Sequence, residues 1–136
     1  MKTFKLRVVA SNKVFFDGEC ASLVIPINDG KMGILANHEE FVAAVEAGEM
    51  QITDKEGNVI EAFVGSGFIE FIDNDATFVC PSCELPEEID ARRAEEAKIR
   101  AEEELRQKQS IIEHHRSQAN LARAMERLKI KNKHKI

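Results

Sequence analysis

The sequence predicts two successive structural classes: a β-sandwich, or flattened antiparallel barrel, over residues 1–85, then an α-helical hairpin over residues 86–136. Three observations carry this. Short apolar runs, some alternating strictly, recur as far as Val79, turn residues punctuate them, and the stretch after Pro86 contains neither glycine nor proline.

The first strand is the clearest. Phe4, Leu6 and Val8 alternate with Lys5 and Arg7, the period of two expected of a half-buried strand. Further runs follow at 22–27, 32–35, 41–45, 50–53, 59–64, 68–72 and 76–79. Asp17-Gly18, residues 28–30, 46–48, 54–58, 65–67 and 73–75 read as the turns between them. Many short strands at close spacing argue for a sandwich or barrel.

The character changes at residues 81–86. Glu, Ala, Arg and Lys, all good helix formers, dominate from there to the end. Pro86 suits a first helical turn, and Glu87, Glu88 and Asp90 complement the dipole of a helix starting there. Ala91, Ala94, Ala97, Ala101 and Leu105 form one small-residue stripe. Ile112, His115, Ala119, Ala122 and Met125 form a second, widened by Leu121 and Leu128. Between the stripes, residues 107–110 contain no strict breaker, yet Ser110 with Glu113 matches a capping box. A hairpin and one long rod are therefore both open, and two such states can differ by only a few kcal/mol.

Charge is divided along the chain. Residues 1–86 carry 6 basic and 14 acidic side chains, whereas from Ser110 onward there are 7 basic and 2 acidic. The basic end suits an acidic surface. Nucleic acid is a poor candidate for that surface, because the end carries no aromatic residue to stack on bases and a Glu-rich stretch adjoins it. No apolar run approaches the ~20 residues that span a bilayer, and the start lacks the pattern of a signal peptide. Three cysteines, an odd number, fit a reducing compartment. The expectation is an intracellular soluble protein.

A sandwich followed by an Ala/Glu/Arg-rich helical pair resembles the epsilon subunit of bacterial F-type ATP synthase. Phe16–Glu19 followed by Ser22–Pro26 looks like that family's early strand pair. Asp29–Leu35 followed by His38 is similar to its Gly-x-x-Gly-x-Leu-Pro-Gly-His signature, with Ala36-Asn37 in place of Pro-Gly and Glu40-Phe41 in place of the following Pro-Leu. Asn37 tolerates the left-handed turn that glycine would supply. Gly65-Ser66-Gly67-Phe68 with Glu70 looks like its Ser-Gly-Gly-Phe-x-Glu turn. The likeness runs from Phe4 to Leu128.

The resemblance implies a non-catalytic rotor subunit of the central stalk that helps couple ion translocation to ATP synthesis. Its sandwich would dock, through the acidic, turn-rich edge, on the gamma subunit and the ring of c subunits. Its arm would fold down, or extend to the catalytic head and hinder hydrolysis. The implied location is peripheral, on the cytoplasmic face of the bacterial membrane, without membrane insertion. The alternative is a free-standing adaptor whose basic hairpin binds an acidic protein or nucleic acid.

Ile89-Asp90-Ala91-Arg92-Arg93-Ala94 is similar to the Ile/Leu-Asp-x-x-Arg-Ala motif with which some members bind ATP. Matching the wider pattern adds Glu84, Arg100, Arg123 and Arg127, so the resemblance implies ATP as a regulatory ligand. Arg93 and Arg100 lie two helical turns apart, and Arg123 and Arg127 one turn apart. Guanidinium groups so placed match phosphate oxygens bidentately, with Asp90 and the backbone near Glu84 left to read the adenine edge. The same arginines equally suit a solvated face with carboxylate neighbours, as in Glu96 to Arg100. Any such site is regulatory, because no Gly-rich phosphate loop with Lys-Ser/Thr is present.

No metal is expected. Cys80 and Cys83 have zinc or redox spacing, but zinc needs two more ligands and only Cys20 and His38 offer them in this half. Two small residues ending a strand are the expectation. His114 and His115 read as one exposed and one seam-facing helical residue. His38 reads as anchoring its loop by a hydrogen bond. No catalytic arrangement stands out.

Overall fold

The structure, a computed structural model, describes residues 2–106 and 111–134, with the backbone alone for 111–114. The chain divides after Glu84 into two compact units. The first contains nine strands: β1 (Phe4–Ala10), β2 (Lys13–Ile27), β3 (Gly30–Leu35), β4 (Phe41–Val45), β5 (Gly48–Asp54), β6 (Val59–Val64), β7 (Gly67–Ile72), β8 (Asp75–Val79) and β9 (Cys83–Glu84). They run in the order β4-β7-β8-β1-β2-β5-β6-β9, with β3 also paired to β2. All pairs are antiparallel except β1 with β8, which is parallel.

β2 builds the sandwich. Its first half pairs with β1 and its second half with β3 and β5. A register shift between Cys20 and Ser22 lies where one set of partners gives way to the other. Bulges of this kind let one strand bend and serve two layers. Asp17-Gly18 is therefore not the turn its composition suggests. Gly18 faces Leu6 across the ladder and Asp17 faces Arg7, whose guanidinium lies 3.5 Å from the carboxylate. The strand continues because both residues have partners, and the turn falls at Ser11-Asn12.

Alternation places Phe4, Leu6 and Val8 in the core beside Leu23, Ile25, Ile34, Met50, Ile52, Ile69, Phe71 and Phe78. Two turns show their chemistry. Asp73 and Asn74 both take positive φ (52° and 59°), the mirror-image turn that suits the twist of the β7–β8 hairpin. Asn37 takes the expected left-handed conformation (φ 64°). Its N–H donates to Asn74 Oδ1 at 2.7 Å, and Asn74 Nδ2 donates to Thr3 O at 3.0 Å. His38 lies within this knot: Nδ1 contacts Glu39 O at 2.8 Å and the ring packs edge-on against Phe41 and Phe71. Gly67 has a steric reason, since a Cβ there would fall on the Val79 carbonyl oxygen. Only glycine permits that approach of β7 to β8.

The second unit opens with a 3-10 turn, Pro86–Glu88, followed by α1 (Ala91–Arg106) and α2 (Ile111–Lys133). Pro86 thus begins a separate turn and not the long helix, because Ile89 is extended (φ −77°, ψ 120°) and interrupts the two. The helices are antiparallel neighbours. Ser117 Oγ donates to Glu104 Oε2 at 2.8 Å near one end, and Lys131 Nζ donates to Pro86 O at 3.1 Å near the other. The α1 stripe is as expected, with Ala94 and Ala101 buried and Ala91, Ala97 and Leu105 half-buried.

The α2 stripe is not as expected. His115, Ala119, Ala122 and Met125 are exposed, and Ser117 and Ala124 are buried in their place. Alanine lies on two faces of α2, so local pattern leaves the choice open; the face taken is the one that supplies Ser117 to Glu104. His115 is accordingly not a seam residue. Residues 107–110, the Ser110–Glu113 box, Ile112 and His114 lie outside the described residues or the described side chains.

Candidate functional site

Within the hairpin, α1 contributes Ala97, Arg100, Ala101 and Glu104 to an open cleft, and α2 contributes Asn120, Arg123, Ala124 and Arg127. Spacings of three and four put each set on one helical face. The alanines form the floor, since small side chains let the helix backbones approach and leave the arginines as walls. The cleft measures about 290 Å³, at the small end of the ~300–1,000 Å³ usual for ligand sites. That is room for a phosphate chain more than for a whole nucleotide.

Its electrostatics favour an anion. Three guanidinium groups face one carboxylate, Glu104, which is already engaged by Ser117. Arg123 Nη2 donates to Asn120 Oδ1, one turn earlier on α2, which fixes the guanidinium at the cleft wall. Arg123 and Arg127 are half-buried and Arg100 is exposed. Partial burial strengthens a charged contact relative to open water.

The structure brings together three of the residues named from the sequence: Arg100, Arg123 and Arg127. It does not bring Arg93 to the cleft lining. Arg93 is exposed near the start of α1, and Glu96 pairs with Arg92 at 3.3 Å. Ile89 and Ala94 are buried. Glu84 belongs to the first unit, where it faces Phe63 across the β6–β9 ladder.

Asp90 has a structural task. Its Oδ1 accepts the Arg93 N–H at 3.1 Å, and its carbonyl accepts the Ala94 N–H at 2.9 Å. This is an N-cap, which satisfies donors that the first helical turn leaves unpaired. Asp90→Ala is expected to cost the hairpin about 1 kcal/mol, read as a lower midpoint in thermal unfolding followed by helical circular dichroism. An unchanged midpoint would remove the cap from the account.

Glu104 and Asn120 are site residues that sequence reasoning missed. Helical spacing could have found them: Glu104 lies four residues after Arg100, and Asn120 three before Arg123. Among the described residues no group of three or more His, Cys, Asp or Glu side chains is placed to hold a metal ion, and no helix is long and apolar enough to cross a membrane.

A family model described as the ATP synthase delta/epsilon chain beta-sandwich domain matches residues 3–86, and one described as the long alpha-helix domain of the same chain matches residues 87–132. The chain belongs to the ATP synthase delta/epsilon family. It is 42% identical over 133 residues to the ATP synthase epsilon chain of Ruminiclostridium cellulolyticum, covering 98% of both chains. It is 41% identical over 130 residues to that of Clostridium novyi, covering 95% of this chain and 98% of the other.

The fold of this delta/epsilon family member recurs in distant solved structures. A chain in the cryo-EM structure of the Euglena gracilis mitochondrial ATP synthase (OSCP/F1/c-ring) superposes with a TM-score of 0.80 at 20% identity, over 93% of this chain and 79% of that one. A chain of the Tetrahymena thermophila central stalk/c-ring structure gives 0.70 at 16%, over 96% and 99%. Both halves match one family in one order, so the free-standing adaptor is not favoured.

Proposed function

We propose that this epsilon-type chain is a non-catalytic subunit of the ATP synthase rotor, binding the gamma subunit and the c-ring through its sandwich. The carrying observation is the match of both units, in order, to the two domains of the delta/epsilon family. The rotor turns at the cytoplasmic face of the bacterial membrane, with this chain peripheral to the membrane. The hairpin acts as a brake on ATP hydrolysis when it extends to the catalytic head, and couples that control to ATP.

ATP is the proposed regulatory ligand, with Arg100, Arg123 and Arg127 on its phosphates and Glu84, Ile89, Asp90, Arg93 and Ala94 completing the motif. The Arg-walled cleft supports this reading. A ligand held by both helices favours the hairpin over any extended form by mass action.

The sandwich also offers a surface suited to docking. On the outward side of β4, β7 and β8, Ala44 faces Phe68 and Phe68 faces Val79 across the ladders. Val42 is 71% exposed and Phe68 67% exposed. Contiguous exposed apolar side chains of this kind mark interaction sites. Phe68→Glu is expected to weaken capture by the gamma subunit in a pull-down by tenfold or more, while changing the stability of the isolated chain by less than about 0.5 kcal/mol. Undiminished capture would move the gamma contact off this face, and failure of the unaltered chain to bind gamma or the c-ring would overturn the rotor reading itself.

A further inference from the structure

Cys80 and Cys83 are left unused by the reading above, and both lie in the core of the sandwich. Cys80 directly follows β8, and its N–H donates to Val9 O at 3.0 Å. Cys83 opens β9 opposite Val64. Between them, Pro81 O accepts from Ser11 Oγ at 2.7 Å and Ser82 O accepts from Gly65 N–H at 3.0 Å. The four-residue segment is therefore pinned to three neighbouring stretches of chain. Both side chains are buried in one core cluster, 4% and 2% exposed, and Cys80 Sγ donates to Val9 O at 3.8 Å. Hydrogen bonding with the Cys83 side chain holds the Cys80 thiol below its ordinary range in spite of desolvation. Cys20 shows the contrast, because burial alone pushes its thiol up to about 12.

We propose that Cys80 and Cys83 form a reversible dithiol–disulfide site that exchanges with small disulfides of the glutathione class. On local opening of the 80–83 segment, the Cys80 thiolate attacks one sulfur of the small disulfide and expels a thiolate, giving a mixed disulfide at Cys80. The Cys83 thiol then attacks the Cys80 sulfur and expels the second thiolate. Two electrons pass from the protein to the small disulfide, which leaves as two thiols carrying the two protons. The two thiols lie in one core cluster, three positions apart on a segment held at both ends, so folding raises the effective concentration of one at the other and favours the intramolecular disulfide over the mixed one. Closure ties the end of β8 to β9, the last strand of the sandwich.

The test uses the full chain, fully reduced, then equilibrated anaerobically across mixtures of oxidised and reduced glutathione. After acid quenching, free thiols are alkylated in denaturant and the peptides are mapped by mass. The expected product links Cys80 to Cys83, leaves Cys20 alkylated, and forms with an equilibrium constant about tenfold or more above that of the same chain in urea. Cys83→Ser is expected to accumulate the mixed disulfide at Cys80, because the resolving thiol is gone. Thiols that stay reduced across the series, a disulfide through Cys20, or a constant no greater than in urea would each overturn the proposal.

Discussion

Phe71→Ala is expected to destabilise the sandwich by about 3–5 kcal/mol, the cost of a truncated core phenylalanine with its cavity. Phe71 is fully buried on β7. Phe4 meets it edge-on with ring centroids 5.5 Å apart, Phe41 stacks on it at 6.0 Å, and His38 meets it at 5.8 Å. Removing the ring therefore removes the centre of a four-ring cluster contributed by β1, β4, β7 and the loop before β4. Each aromatic contact adds about 0.5–1.5 kcal/mol beyond area burial. Against the ~5–15 kcal/mol total of an ordinary domain, little stability remains. Urea unfolding should show a much lower midpoint at unchanged slope. Phe68→Ala, three residues earlier and facing outward, should shift stability by less than about 0.5 kcal/mol. A loss below about 1 kcal/mol at Phe71 would mean that the cluster repacks and does not anchor the layer.

The second large effect concerns the cleft. Removing both α2 guanidinium groups, in Arg123→Ala with Arg127→Ala, is expected to weaken ATP binding a hundredfold or more. Hydrogen bonds to charged groups contribute about 1.5–3 kcal/mol each, and each ~1.4 kcal/mol is a factor of ten. Calorimetric titration of ATP into the isolated chain reads this directly. Arg92→Ala, exposed and paired with Glu96, should leave the affinity unchanged. Asp90→Ala would be a poor probe alone, since loss of its cap also loosens α1. Equal affinity in the double variant would move the phosphates away from Arg123 and Arg127. Absence of binding in the unaltered chain would reduce the Ile89–Ala94 motif to a helix cap and packing, leaving family membership intact.

Much of the architecture was legible because period and punctuation are local properties. The alternation of Phe4, Leu6 and Val8 needs no partner to be seen, nor does the change of composition after Pro86. The arginine spacing was legible for the same reason, since residues three and four apart on a helix share a face wherever it packs. The motif at Ile89–Ala94 was harder to interpret. Asp90 reads the same whether it touches a ligand or caps α1, and only its contact with the Arg93 N–H distinguishes the cap.

Sequence by itself therefore determined the kind of each half, strand then helix, and the family whose pattern the chain follows. Tertiary structure decided where each element turns and which face it buries. Asp17-Gly18 stays extended because β1 supplies Arg7 and Leu6 opposite it, a partnership no local window contains. β1 and β8 pair in parallel although 70 positions separate Val9 from its partner Val79, a distance along the chain that no local pattern spans. On α2, alanines on two faces made either seam possible, and the buried Ser117–Glu104 hydrogen bond accompanies the face that was chosen. A buried polar group must find its partner, and that requirement operates across the fold, beyond the reach of any single segment's composition.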